Sequence, residues 1–246
     1  FTDTVSENSK YDLTEALAAD SVYEAYSKYF SIGAAINGTS PGTSTAAAPE
    51  MRQVMKRHFN STTLSNLMKP EYILDEEGCK ANAAAGKNDT PALKFNSIVD
   101  NLDFCQAAGI KMRGHVLVWH AQTPDWFFKV GYDDNGDFVS TSVMDARMEM
   151  YIRSVMHHVY TIENGKYKDT VYVWDVANEY LNNSKDDRWS AVYGNREKSD
   201  DETSAANKNI LGSKPPYVKK AFEIAYDVLK EMKLTDSVKL FYNDFN

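Results

Sequence analysis

Cysteine is nearly absent: the 246 residues hold two, Cys79 and Cys105. Two cannot build a disulfide scaffold, although a single bridge stays geometrically open, and no CxxC or His-rich spacing marks a metal site. No apolar run reaches the roughly 18 residues needed to cross a bilayer, so membrane insertion is not expected. The first residues lack the charged-then-apolar pattern of a targeting segment. A basic excess is missing too: the formal net charge is −8, which argues against nucleic acid as a partner. No internal repeat is visible, and no Gly-rich phosphate turn follows a strand, as an open doubly wound sheet would favour.

What is present is core material. The chain is 43% hydrophobic and 25% charged, the composition of a globular domain rather than a disordered one. Its length fits one large α/β domain or two small ones. Aromatics make up 12%, with 15 Tyr and 4 Trp; such rings suit cores first and sugar-stacking surfaces second.

Strand and helix patterns alternate along the chain. A helical stretch over Leu13–Lys28 leads into the apolar run Tyr29–Ile36, which Asn37-Gly38 and Ser40-Pro41-Gly42 end. Pro49–Phe59 reads as a helix feeding a short strand at Ser61–Ser65. Residues 75–92, rich in Gly, Ala, Asn and Asp, read as an extended loop. A helix over Ser97–Ala108, stopped by Gly109, precedes the clearest strand, Lys111–Trp119. A long helix over about Thr141–Val159, a strand at Thr170–Val176, a polar loop over residues 183–209, a helix at Tyr217–Met232 and a fifth strand at Val238–Tyr242 complete the pattern. Strands alternating with helices predict parallel βαβ units with right-handed crossovers. Polar residues gather just after the strands, which favours a (β/α)8 barrel with its site at the strands' C-terminal ends.

Three segments could carry chemistry there. In Trp174-Asp175-Val176-Ala177-Asn178-Glu179, an apolar strand delivers Asn178 and Glu179 to its C-terminal end. A carboxyl held there and partly desolvated could act as a general acid, whereas a lone Glu after a strand is more often solvated or ion-paired. In Arg113–Phe127, alternation sets His115, Leu117 and Trp119 on one strand face, with Gln122 and Trp126 following. Rings and amides at one rim suit a sugar; His115 by itself more often sits hydrogen-bonded in a core. In Phe59–Glu71, Asn66 and Lys69 could reach hydroxyls across the same mouth, or could be a cap and a solvated charge.

Together these segments resemble glycoside hydrolase family 10, the endo-β-1,4-xylanases. The family pattern GHTLVWHSQTPDWF is close to Gly114–Phe127, WDVVNE matches Trp174–Glu179 with Ala177 for one Val, and MKPE matches Met68–Glu71. INDYN is near Tyr242–Asn246, and YFKIGAA is near Tyr29–Ala35. The motifs keep family order and run the whole chain.

The resemblance implies a retaining endo-1,4-β-xylanase on a (β/α)8 TIM barrel. Residues 1–246 would form the N-terminal part of a single barrel domain, about its first five strand–helix units. Glu179 matches the acid/base, and Asn178 a partner of the sugar 2-hydroxyl. His115, Trp119 and Gln122 match residues lining that subsite, and Asn66 and Lys69 match contacts to the next sugar. Asn243 and Asn246 match polar residues near the acid/base. No metal or organic cofactor is implied. The implied partners are xylan and xylo-oligosaccharides, and a polymeric substrate implies a secreted or cell-surface protein.

Two departures stand out: Ser65 replaces a substrate-contacting Glu of the family, and Phe245 replaces a Tyr. Retention also needs a second carboxylate about 5–5.5 Å from the first. The family supplies it from a Thr-Glu-Leu-Asp segment that these residues do not contain. Asp244 ends the fifth strand, beside the acid/base strand rather than across the mouth, and does not substitute. The nucleophile is therefore expected on a missing or separate C-terminal segment, such as a second polypeptide completing the barrel. The alternative is an inactive, truncated carbohydrate-binding remnant of the same barrel. A lyase or aldolase barrel has no strand-end lysine in the apolar setting that a Schiff base needs.

Overall fold

A computed structural model describes residues 4–5, 9, 11–39, 42–180, 188–194 and 216–244. The elements run in the order α1 (Thr14–Ala18), α2 (Val22–Tyr26), β1 (Gly33–Ile36), α3 (Pro49–His58), β2 (Ser61–Leu64), α4 (Pro70–Ile73), α5 (Glu76–Ala84), α6 (Val99–Ala108) and β3 (Lys111–Trp119). Then follow α7 (Thr141–Gly165), β4 (Val171–Asn178), α8 (Arg188–Tyr193), α9 (Pro216–Glu231) and β5 (Lys239–Asn243). The five strands form one sheet in chain order. β1 and β2 pair in parallel with Gly33 opposite Ser61, and β2 and β3 with Ser61 opposite Lys111. Parallel neighbours in chain order need a crossover between each pair, which the intervening helices supply.

Contacts divide the chain into two compact units. The first comprises Phe1–Met68, Phe95–His115 and Val159–Val173. Its core holds Ile36, Met55, Leu64, Leu102, Phe104, Met112 and Val171, all buried. Thr62 in β2 is buried as well, and its hydroxyl donates to the Ala34 carbonyl at 2.7 Å. The second comprises Lys69–Lys94, Val116–His158 and Trp174–Asn246. Here α9 buries Ala221, Ile224, Ala225, Val228 and Leu229, the one-sided stripe of an amphipathic helix. Trp189 of α8 stacks on Tyr217 with centroids 4.8 Å apart and meets Phe128 edge-on at 5.0 Å.

Three expectations need correction. Residues 75–92 are not an extended loop, because α5 forms within them. Ala81, Ala83 and Ala84 are strong helix formers, and Glu76 pairs with Lys80 one turn on, at 2.6 Å. Gly78 serves a close approach there, since a Cβ would lie 2.6 Å from the Ala92 Cβ. The stretch Leu13–Lys28 is two helices rather than one. Ala19 is extended at φ −64°, ψ 154°, and the Ser21 hydroxyl then accepts from the Glu24 N–H to start α2. The expected loop over residues 183–209 contains α8; the remainder of that span lies outside the described residues, apart from Gly194. The lone Trp in a polar stretch was the signal, since burying its ring stabilises a turn of helix. Gly109 does cap α6, at φ 67°.

The two cysteines are buried and unpaired, and burial pushes the Cys79 thiol up to about 11 and Cys105 up to about 12. Among the described residues, no helix is long and apolar enough to cross a membrane, and no group of three His, Cys, Asp or Glu could hold a metal ion.

One charge organises the second unit. Arg147 of α7 is 0% exposed. Its guanidinium donates to the carbonyls of Asn88, Phe127 and Lys129 at 2.8, 2.6 and 2.9 Å, and to Asn88 Oδ1 at 2.9 Å. It also lies 3.7 Å from the Tyr132 ring centroid. Arg147→Leu would leave three carbonyls unserved, at about 1–3 kcal/mol each. The expected loss of stability is therefore about 3 kcal/mol or more, read as a fall in the urea midpoint. Arg147→Lys should recover only part, because an ammonium lacks the planar fork. An unchanged midpoint for Arg147→Leu would refute this account.

Candidate active site

Three neighbouring strands end at the candidate site, β3 at Trp119, β4 at Asn178 and β5 at Asn243. β4 runs two residues further than its sequence suggests, so Asn178 is its buried last residue. Glu179 follows with φ +56° and a half-buried side chain. The left-handed conformation turns the chain sharply at the strand end. The Glu179 N–H donates to the Asn243 carbonyl at 2.8 Å. The Trp119 indole Nε1–H donates to Glu179 Oε2, also at 2.8 Å. A donor on one carboxylate oxygen fixes the orientation of the group.

Trp119 is itself held from behind. Its carbonyl accepts from the Thr123 hydroxyl at 2.7 Å and from the Trp189 indole at 3.1 Å. Lys69 is buried, with Nζ 4.8 Å from the Trp119 ring centroid and donating to Gln122 Oε1 at 2.5 Å. Gln122 stands at φ +49°. Its carbonyl accepts from the Glu71 N–H at 2.9 Å, and its amide nitrogen lies 3.5 Å from Glu71 Oε2. Desolvation lowers the Lys69 pKa, while the carboxylates of Glu179 and Glu71 oppose that fall. Lys69, Trp119, Gln122 and Glu179 are thus gathered in one unit, with Glu71 and Trp189 added to them. Sequence reading gave neither of these two a role, although Glu71 lies within a quoted motif.

A family model for glycosyl hydrolase family 10 matches residues 21–246. The chain belongs to glycosyl hydrolase family 10. Endo-1,4-beta-xylanase A of Butyrivibrio fibrisolvens is 42% identical over 205 residues, 78% of this chain and 45% of that protein. A putative endo-1,4-beta-xylanase of Caldicellulosiruptor saccharolyticus is 40% identical over 179 residues, 73% of this chain and 48% of that one. The chain thus spans less than half the length of either relative. The Clostridium thermocellum N-terminal endo-1,4-beta-D-xylanase 10B, complexed with xylohexaose, matches at TM-score 0.67 and 30% identity, over 93% of this chain and 40% of its own. An intracellular xylanase from Thermoanaerobacterium saccharolyticum matches at TM-score 0.66 and 28% identity, over 93% and 57%. The five-stranded sheet is accordingly about the first five strand–helix units of a (β/α)8 barrel.

The other expected family 10 positions fall as follows. Asn66 and His115 belong to the first unit. Asn66 Nδ2 donates to the Gly38 carbonyl at 3.4 Å, and His115 is half-buried in mid-β3. Ser65, at the family's Glu position, directs its hydroxyl and its N–H to the Ile36 carbonyl at 3.3 and 3.0 Å. Asn243 offers its carbonyl to Glu179, as described. Asn246 and Phe245 lie outside the described residues.

The electrostatics generate a test. Glu179→Gln removes an attraction that keeps Lys69 protonated, so the Lys69 pKa should fall further. An NMR titration of the Lys69 ammonium would read the shift. A Lys69 pKa that stays put or rises would show that the two groups are not coupled as the geometry implies.

Proposed function

We propose that this chain supplies the acid/base side of a retaining endo-1,4-β-xylanase. The observation that carries the reading is Glu179, oriented by the Trp119 indole at the end of β4 in a family 10 chain. As an acid, Glu179 gives its proton to the glycosidic oxygen while the bond from that oxygen to the anomeric carbon breaks. A second carboxylate takes the anomeric carbon as an ester, and Glu179 then removes a proton from the water that displaces it. Two inversions retain configuration, and the chemistry calls for neither metal nor organic cofactor.

The other residues bind. Lys69 and Gln122 present donors to sugar hydroxyls, the Trp119 ring offers an apolar wall, and Asn178 faces the 2-hydroxyl. Asn243 braces Glu179 through its backbone. Xylan as substrate rests on the names of the relatives, two of them cited above as endo-1,4-beta-xylanases. Its polymeric nature supports a secreted or cell-surface protein.

The nucleophile belongs to a C-terminal segment beyond the 246 residues. β5 is an edge of the sheet with Phe241 44% and Tyr242 38% exposed, a setting suited to receiving another strand. One observation favours the non-catalytic alternative, a carbohydrate-binding remnant: Ser65 is turned to the Ile36 carbonyl, where the family has a longer, charged contact.

In protein that includes the C-terminal segment, Glu179→Gln should cut turnover of xylan by about 100- to 10,000-fold, the usual worth of general acid–base catalysis. Glycosylation by an aryl xyloside with a good leaving group should fall far less, since that group needs little protonation. Equal losses in pre-steady-state glycosylation would sink the acid role. Wild-type protein that binds xylohexaose without cleaving it would favour the remnant.

A further inference from the structure

Lys69, Gln122 and Glu71 are joined side chain to side chain in that order. A lysine ammonium donates hydrogen bonds and cannot accept them, an ionised carboxylate accepts and cannot donate, and a glutamine amide has one end of each kind. Lys69 Nζ donates to Gln122 Oε1 at 2.5 Å, and Gln122 Nε2 lies 3.5 Å from Glu71 Oε2. Turning the Gln122 amide over by 180° would set its NH2 against the ammonium and its oxygen against the carboxylate, losing both contacts at once. The two orientations of the amide are nearly equal in shape, so its charged neighbours make the choice. The ammonium stands at the negative end of the amide dipole and the carboxylate at the positive end, and this attraction persists where the second contact is long.

Glu71 acts on Gln122 from a fixed base. Its own N–H donates to the Gln122 carbonyl at 2.9 Å, so the two residues meet through main chain and side chain together. The main-chain bond bears on a Gln122 held at φ +49°. Glu71 lies in the first turn of α4, which Lys69 immediately precedes, so the helix start places the carboxylate and the ammonium on either side of one amide. Glu71 is exposed, whereas Lys69 is buried with Nζ 4.8 Å from the Trp119 ring centroid. Burial lowers the Lys69 pKa, and the charges of Glu179 first and Glu71 second oppose that fall.

We propose that Glu71 is a positioning residue: it fixes the Gln122 amide so that Oε1 holds the Lys69 ammonium beside the Trp119 ring, and so sets how Lys69 meets a sugar hydroxyl. The step to a sugar rests on the xylanase reading, whereas the hold on Gln122 and Lys69 does not.

The test is NMR of the full chain with 15N in glutamine amides and lysine ammonium groups. Glu71→Gln keeps the shape and the main-chain N–H but presents an amide that donates as well as accepts, which removes the selection. The Gln122 NH2 signals should move, and the Lys69 ammonium protons should exchange faster with water. In a Gln122→Met background, Glu71→Gln should alter that exchange much less, because the route through the amide is gone. Xylotriose should bind Glu71→Gln about tenfold more weakly than wild type, as when one hydrogen bond to a charged group is lost. Gln122 signals unmoved by Glu71→Gln would overturn the positioning role. A change in Lys69 exchange that is equally large with and without the Gln122 amide would overturn it too, leaving a direct charge effect alone. Wild-type protein with the expected signals but no affinity for xylotriose would overturn the step to a sugar and the xylanase reading while supporting the hold on Lys69.

Discussion

Everything at the candidate site depends on how Glu179 is pinned. Its backbone N–H is tied to the end of β5 and its carboxylate to the end of β3. The residue between these ties sits at φ +56°, a conformation that costs an L-residue about 1–2 kcal/mol. A hydrogen bond contributes about 0.5–1.5 kcal/mol net, and more when one partner is charged. Two such bonds are enough to offset the strain. The strain also has a geometric consequence, because a sharp turn directly after a buried strand makes a carboxylate leave the sheet at once. A Glu that continued in extended conformation would follow the strand direction instead. Gln122 repeats the device at φ +49° and holds Lys69.

Among the described residues of the second unit, the buried cations Arg147 and Lys69 show why residue type matters. Arg147 faces three carbonyls and one amide oxygen, and a planar five-donor fork that stays protonated suits that work. Lys69 carries a single compact ammonium beside the Trp119 ring, with burial and two carboxylates acting on it in opposite directions. A point charge on a flexible stem can turn from Gln122 to an arriving hydroxyl, whereas the Arg147 fork is committed to the backbone. One residue builds the unit and the other remains available to a ligand, although both are buried beside aromatic rings.

Local pattern explains what could be read from sequence. Lys111–Trp119 is a strand to the residue, because its alternation and β-branched content act along the strand itself. Gly109 ends α6 because the left-handed cap favours glycine. The α5 helix was hidden by composition: Gly78 and the Asn residues suggest a loop, yet packing against Ala92 selects glycine inside a helix. The split between α1 and α2 turns on one extended residue, Ala19, which no periodicity marks. At the site, the motifs around Trp119 and Glu179 are visible as strings, but their meeting is a contact between residues 60 apart. The Trp189–Trp119 bond spans 70 residues. No spacing rule connects such positions, so the brace behind Trp119 became visible only in the fold.

That brace also accounts for the persistence of strained residues at the rim. Beneath it, Pro70, Leu74, Leu117, Val118, Phe127, Met148 and Tyr151 close around a void of only about 10 Å³, room for at most about one water. Tyr151 even keeps its hydroxyl there without a hydrogen-bond partner, and burial pushes its pKa up. A floor this full cannot yield when the rim is pushed, since close-packed interiors rearrange in discrete steps rather than by small give. Trp119 therefore cannot sink, and a Glu179 bonded to it cannot relax toward an unstrained turn without breaking that bond. Strained conformations persist where their surroundings over-determine them. Here the determining parts are apolar and aromatic residues that no reacting group need touch, and the polar atoms they hold in place are the ones a sugar would meet.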